Sequence, residues 1–369
     1  MNHHAALFSS FSIGDLVLPN RIVMAPMVRA RAIQESHTPG PLLELYYVKR
    51  ANAGLIVAEA CAVSEQGLNC YRSTGIYTPE QVWAWRRLTD RIHEAGGRIF
   101  LQLLHAGRAS HVSNQPGGAT PVSPSAVPAN TKTLTANGFV PVSPPRELER
   151  SEIPGVIESF RAGARRAREA GFDGVEIHAA NGYLLDQFMK DGVNRRTDDF
   201  GGPIENRIRL TLGVLDAVKT EWEAARVGLR ISPGPAQDAA DSNPSALFGH
   251  LIDEVDRRGA GYVHMVEGTA SGSRESADVD YSMLRRRFRG TWIANNGYTA
   301  KSAAAAIESR CADLISFGRP FVANPDLVQR FRCGAPLNEV DKSALFGGGR
   351  EGLLDYPTMY GIGLTNGEI

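Results

Sequence analysis

Lysine is scarce in this chain. Of its 40 basic residues only six are lysine (Lys49, Lys132, Lys190, Lys219, Lys301 and Lys342), and the other 34 are arginine. All six lysines fall in helical or connecting stretches outside the apolar runs, which disfavours a barrel aldolase working through a lysine imine. Cysteine is scarcer still, with four residues at 61, 70, 311 and 333. They form no C-x-x-C pair and have no histidine-rich spacing beside them. Zinc and iron–sulfur sites therefore lack their ligand pattern, no metal is expected, and the thiols read as buried or idle in a reducing compartment. Apolar runs of 18 residues are also missing, which excludes a membrane-spanning helix. Acidic and basic residues both number 40, so no bulk field draws the chain to nucleic acid or to an anionic membrane. Residues 1–11 hold two histidines but no basic stretch followed by an apolar core, and a cytoplasmic location is expected.

What the chain does have is a rhythm. Short apolar runs rich in Val, Ile and Leu recur at 22–25, 55–60, 99–104, 174–178, 227–231, 262–266, 292–294 and 314–317. None alternates with polar residues, which is how parallel strands covered on both faces read. Helical patterns lie between them at 79–95, 153–170, 204–222, 245–258 and 299–309, and Gly96, Gly171 and Gly259 stand where helix C-termini want glycine. Eight such units predict an α/β fold, a single (β/α)8 barrel spanning 1–369, because a doubly wound open sheet more often has fewer strands. Residues 109–151 break the rhythm with Pro, Ser, Gly, Asn and Thr. They predict an excursion after the third strand, with a small hairpin. Residues 334–369 read as an irregular tail capping the barrel.

Active sites of such barrels gather at the C-terminal strand ends, so the polar residues leaving each run are the candidates. Strand one runs into Pro26, Met27, Val28 and Arg29, strand two into Glu59 and Ala60, and strand three holds Gln102 and His105. Strand four ends at His178 with Asn181 and Tyr183 beyond, and strand five carries Arg230. Strand six is followed by Glu267, seven by Asn295-Asn296-Gly297 and eight by Gly318-Arg319. The last two turns suit a phosphate, since glycine lets backbone N–H groups approach, a helix N-terminus follows, and an arginine fork adds donors. An ordinary pair of tight turns with Arg319 in a surface ion pair is the plainer alternative. His178 and Asn181 could aim two donors at one carbonyl or anionic oxygen with Tyr183 supplying a proton. A structural histidine and a turn-forming Asn-Gly explain the same residues equally well. Gln102 and Arg230 either face a polar ligand or pair inside the barrel with Glu59 or Glu176.

With these residues in view, the chain resembles the Old Yellow Enzyme family of FMN-dependent ene-reductases from about Phe8 through Pro357. The matching segments include Asn20-Arg21-Ile22-Val23-Met24-Ala25-Pro26, Gln102-Leu103-Leu104-His105, Glu176-Ile177-His178-Ala179-Ala180-Asn181-Gly182-Tyr183, Glu205-Asn206-Arg207 and Gly318-Arg319-Pro320. The resemblance implies non-covalent FMN with NADPH or NADH as reductant. It also implies that Gln102 and Arg230 meet the polar edge of the flavin and that Pro26, Met27, Val28 and Ala60 line its other edges. Asn295, Asn296, Gly297, Gly318 and Arg319 would hold the phosphate. His178 and Asn181 would bind the activating group of a small electron-poor alkene such as an enone, maleimide or nitroalkene. Tyr183 would protonate its α-carbon after hydride reaches the β-carbon, and Tyr356 would cover the substrate.

Two positions depart from the family pattern. Val28 replaces a common Thr or Cys, which implies one donor fewer at the flavin and a lowered reduction potential. Leu104 replaces a frequent Trp, which implies a wider or differently shaped pocket. A flavin isomerase, a nitro-ester reductase on the same scaffold, and a non-catalytic ligand-binding barrel are the competing readings. No helix face distinguishes a monomer from a homodimer.

Overall fold

Eight short apolar segments pair side by side into a closed parallel barrel: β1 (Ile22–Met24), β2 (Leu55–Ala62), β3 (Ile99–Leu104), β4 (Gly174–Ala179), β5 (Val227–Ile231), β6 (Tyr262–Val266), β7 (Thr291–Asn295) and β8 (Leu314–Phe317), with β8 returning to β1. All eight fall on the runs read from the sequence. The computed structural model describes residues 4–269 and 279–360. Helices α1 (Pro41–Val48), α2 (Pro79–Glu94), α3 (Ile153–Glu169), α4 (Arg209–Lys219), α5 (Pro244–Arg257), α6 (Tyr281–Arg286), α7 (Ala300–Glu308) and α8 (Leu327–Cys333) follow the strands in turn, making a (β/α)8 barrel. The helix expected over 204–222 is broken. A four-residue helix, Ile204–Arg207, precedes α4, and the chain leaves the helix at Lys219, with the Trp222 indole donating to the Ala164 carbonyl at 2.8 Å.

Strand side chains alternate between the barrel interior and the helix layer. Inward residues at the bottom (Val23, Leu55, Val57, Phe100, Tyr262, Ile293 and Leu314) form an apolar floor, sealed by Ile13 and Leu18 of an N-terminal hairpin. Gly228 is required there, because a Cβ would stand 2.0 Å from Cζ of Tyr262. Two residues further along the same strands the interior turns polar: Gln102, Glu176, Arg230, His264, Asn295 and Ser316, all buried. The register sets them beside one another, with Glu176 opposite Gln102, His178 opposite Arg230, and Arg230 opposite His264.

Two segments without regular strand–helix rhythm close over this polar end. The excursion contains the expected hairpin, Lys132–Thr135 against Gly138–Pro141, tied down by Thr133 Oγ1 donating to the Asn69 carbonyl at 2.6 Å. The described part of the tail, residues 334–360, holds no helix or strand beyond α8. Two buried arginines staple it to the barrel. Arg29 donates to the carbonyls of Leu345 and Gly352 at 3.1 and 2.7 Å, and Arg31 to those of Gly349 and Glu351 at 3.0 and 2.7 Å.

Candidate functional site

Two adjoining cavities open at the C-terminal strand ends. One, of about 460 Å3, is lined by Pro26, Met27, Val28, Ala60, Gln102, His178, Asn181, Tyr183, Arg230 and Arg319, joined by Arg29, Gln237, Leu345 and Phe346 among others. Its neighbour, of about 420 Å3, shares Pro26, Met27, Arg230 and Arg319 and adds Asn295, Asn296, Gly297 and Gly318. A larger hollow of about 540 Å3, bordered by Cys70, Tyr77 and the start of α2, contains none of these strand-end residues.

Arg230 lies between the two cavities. Its Nη2 donates to Asn295 Oδ1 at 3.0 Å, while its buried Nε makes no hydrogen bond among the described residues. The in-barrel salt bridge weighed for it does not form among the described residues. Glu176 is engaged by Gln102 and His264 at 2.7 and 2.8 Å, and Glu59 by the Arg29 N–H at 2.9 Å. A buried guanidinium N–H without an acceptor is costly, so this group is aimed at something the described residues do not supply. Gln102 hands its amide nitrogen to Glu176, and its oxygen is left to the cavity.

The His178 ring is buried, and its Nδ1 has no hydrogen-bond partner among the described residues. Burial first, then the positive charge of Arg230 and the proximity of His264, hold its pKa well below 6.5, so the ring is neutral. Asn181 sits in the left-handed region at φ 57°, a conformation that Asn tolerates. Its backbone N–H donates to Ser232 Oγ at 2.7 Å and its carbonyl accepts from Gln237 Nε2 at 2.9 Å, which leaves the side-chain amide without a bond among the described residues. Gly182 follows at φ 77°, where a Cβ would stand 2.6 Å from the Ala236 carbonyl oxygen. Burial pushes the Tyr183 phenol above its usual 10.0, against hydrogen bonding from Asn69 and Gln237. A neutral ring, a free amide and a protonated phenol thus border one cavity.

At the adjoining cavity the glycines serve close approach. Gly297 takes φ 63°, and the Asn296 amide nitrogen is committed to the carbonyls of Glu267 and Thr269 at 2.6 and 2.7 Å. Backbone N–H groups of Asn296, Gly297 and Gly318 make no hydrogen bond among the described residues. With the N-terminus of α7 and Arg319 nearby, these groups form a cradle of donors able to hold a phosphate. Asn295 lines it, but its side chain bridges Arg230 and the Ser316 carbonyl, to which it donates at 2.9 Å, so it holds the arginine.

Three expectations need correction. Tyr356 does not line the cavity. Its ring packs with Val322 and Ala323, and its hydroxyl accepts the Asp341 N–H at 2.9 Å. Its place is taken by Phe346, whose ring meets Phe139 of the hairpin edge-on, centroids 5.8 Å apart. Leu104 is fully buried and is not among the residues that line the cavity. His105 also turns away, its Nδ1 accepting the Gly107 N–H at 3.1 Å. His264 was not among the candidates. Its only signal was a polar residue in an otherwise apolar strand, two positions after the floor residue Tyr262.

The donor set fits FMN. An acceptor on Gln102 and a donor on Arg230 match the alternating N–H and C=O groups of a flavin's pyrimidine edge, apolar Pro26, Met27 and Val28 match the rest of the ring, and the cradle matches the phosphate. Fold and mouth are thus those of a flavin-type barrel oxidoreductase.

Comparison with known proteins agrees. Residues 6–338 match the model of the NADH:flavin oxidoreductase / NADH oxidase family. The chain is 41% identical over 347 residues to 12-oxophytodienoate reductase 1 of Oryza sativa subsp. japonica, covering 92% of this chain and 89% of the rice protein. It is 39% identical over 360 residues to 12-oxophytodienoate reductase 2 of Arabidopsis thaliana, covering 96% of each. Among solved structures, morphinone reductase in complex with tetrahydroNAD superposes with a TM-score of 0.90 at 43% identity over 99% of both chains. The old yellow enzyme homologue from Zymomonas mobilis does so with a TM-score of 0.92 at 39% identity, over 95% of this chain and 99% of that one. The chain belongs to the NADH:flavin oxidoreductase / NADH oxidase family, the Old Yellow Enzyme group that its sequence resembles. No helix among the described residues is long and apolar enough to cross a membrane.

Proposed function

We propose that this enzyme is an FMN-dependent ene-reductase taking electrons from NADH or NADPH and reducing small alkenes activated by a carbonyl, imide or nitro group. The observation that carries the reading is the convergence of His178, Asn181 and Tyr183 on the cavity whose floor is Gln102 and Arg230. The complex of morphinone reductase, which superposes closely on this chain, with tetrahydroNAD supports a nicotinamide reductant.

Gln102 and Arg230 would hold the ring, and Asn296, Gly297, Gly318 and Arg319 the phosphate. When bound, FMN would supply the hydride chemistry that links the nicotinamide to the alkene. His178, neutral, and the Asn181 amide bind the activating oxygen and stabilise the charge that grows on it. Removing one such donor commonly costs about 3 kcal/mol of barrier. Tyr183 holds the proton destined for the α-carbon. The four cysteines, all unpaired, suit the cytoplasm.

Stopped-flow spectroscopy tests the proposal. NADH or NADPH should bleach the bound flavin, and cyclohexenone, a maleimide or a nitro-ester should restore its colour, with the saturated ketone or imide as product. A protein that takes up no FMN, or a reduced flavin that none of these acceptors reoxidises faster than dioxygen does, would overturn it.

A further inference from the structure

Beneath the site lies a buried charge that lines neither of its cavities. Glu176 on β4 accepts from Gln102 Nε2 at 2.7 Å through one carboxylate oxygen and from His264 Nδ1 at 2.8 Å through the other. All three side chains are buried. A carboxylate only accepts hydrogen bonds, so the end of the Gln102 amide turned toward it is the NH2, and the amide oxygen faces the other way. That oxygen makes no hydrogen bond among the described residues, and Gln102 lines the cavity. Two strands along, Arg230 presents its unpartnered Nε. The floor thus shows an acceptor and a donor on the strands flanking β4, and the residue between them decides which way the acceptor points.

We propose that Glu176, steadied by His264, is a positioning residue that locks the Gln102 amide with its oxygen toward the ring and balances the Arg230 guanidinium, so that it sets both the affinity and the reduction potential of FMN. The proposal rests on the FMN reading above.

The electrostatics agree with the geometry. Burial opposes the charge on Glu176, yet His264, Arg230 and Gln102 together hold its carboxyl below the usual carboxylate range. Burial keeps His264 neutral, although Glu176 pulls the other way. Glu176 and Arg230 are therefore one negative and one positive charge, both buried, where such charges act strongly on a ring that gains electrons. A glutamine at 176 can either donate or accept. The Gln102 amide is then free to turn its NH2 toward the ring, and Arg230 is left uncompensated.

The test uses FMN itself, titrated into deflavinated protein by fluorescence quenching, with the potential of the loaded protein measured against a reference dye. Glu176→Gln is expected to bind FMN about tenfold more weakly, the cost of a misplaced charge-assisted hydrogen bond, and to shift the potential positive. The swap Gln102→Glu with Glu176→Gln restores an obligate acceptor at position 102 and the negative charge. It should recover affinity and return the potential in the negative direction, which a mere packing role would not produce. Should Glu176→Gln not fold, Glu176→Asp keeps the charge with a shorter reach, and weaker FMN binding at a nearly unchanged potential is then expected. A Glu176→Gln protein with wild-type affinity and potential overturns the proposal. Wild-type apoprotein that binds no FMN overturns the cofactor reading instead.

Discussion

The ring of His178 meets that of Tyr183 edge-on, with centroids 4.9 Å apart and planes at 69°. A residue that binds the activating oxygen and one that delivers a proton are therefore held at a fixed separation by ring contact as well as by the backbone turn between them. Tyr183→Phe keeps the ring and removes only the hydroxyl. Reoxidation of the reduced flavin by an enone should slow about 100-fold or more, the usual contribution of a positioned acid. Flavin reduction by NAD(P)H should stay near the wild-type rate. Single-turnover kinetics of the two half-reactions check this, and an equal loss in both would remove the phenol from its assigned role.

His105 links the fold to pH. Its Nδ1 accepts the Gly107 N–H at 3.1 Å, so the neutral ring is the form the structure is built around, and burial pushes its pKa down to about 4. The unfolded chain binds the proton at about 6.5 and the folded chain does not, so stability is complete above pH 6.5 and drains away as pH falls toward 4. For this one residue the loss is on the order of 3 kcal/mol. His105→Gln should flatten that part of the profile in urea denaturation at a series of pH values. An unaltered acid slope would show that other groups set it.

Most of the frame was legible in the chain because its physics is local. A barrel strand buried on both faces has to be an apolar run, and all eight runs became strands. Residues at their C-terminal ends were brought together because the fold places every such end at one mouth. What escaped depended on distance. Phe346 and Tyr356 lie in one tail without periodicity, and which of them faces the cavity is decided by Arg29 and Arg31 gripping carbonyls more than 300 positions away. Helix α1 was not anticipated because it buries Leu43, Glu44, Tyr46 and Tyr47 together, which leaves no apolar stripe. In the sequence Glu59 and Glu176 both stand as possible partners for Arg230, because spacing cannot say which neighbour a carboxylate will bind.

Val28 borders the cavity between Met27 and Arg29. An isopropyl group there offers the ring no hydrogen bond, and Thr has nearly the same shape with one donor added. Val28→Thr should stabilise charge on the reduced ring and raise its potential. Potentiometry on the two loaded proteins decides the matter. A potential that is unchanged or lower in the Thr variant removes Val28 as a tuning position.

Lys190 and Asp186 form an ion pair with no solvent exposure, Nζ to Oδ2 at 2.9 Å. The same ammonium donates to the carbonyls of Ser232 and Gly234 at 3.0 and 2.9 Å, and the same carboxylate oxygen accepts the Gly182 N–H at 2.8 Å. The pair therefore pins the Asn181 turn to the loop after β5, which carries Gln237, whereas the phosphate cradle lies on other loops. Lys190→Met leaves Asp186 buried without its partner, at a cost of about 3 kcal/mol or more. KM for the alkene should rise as the Asn181 wall loosens, and FMN affinity should hold. Adding Asp186→Asn removes the stranded charge and should recover part of the stability but not the KM. Denaturant melts and steady-state kinetics on both variants test the two halves separately, and an FMN affinity that falls as far as alkene binding would show that the pair supports the barrel mouth as a whole.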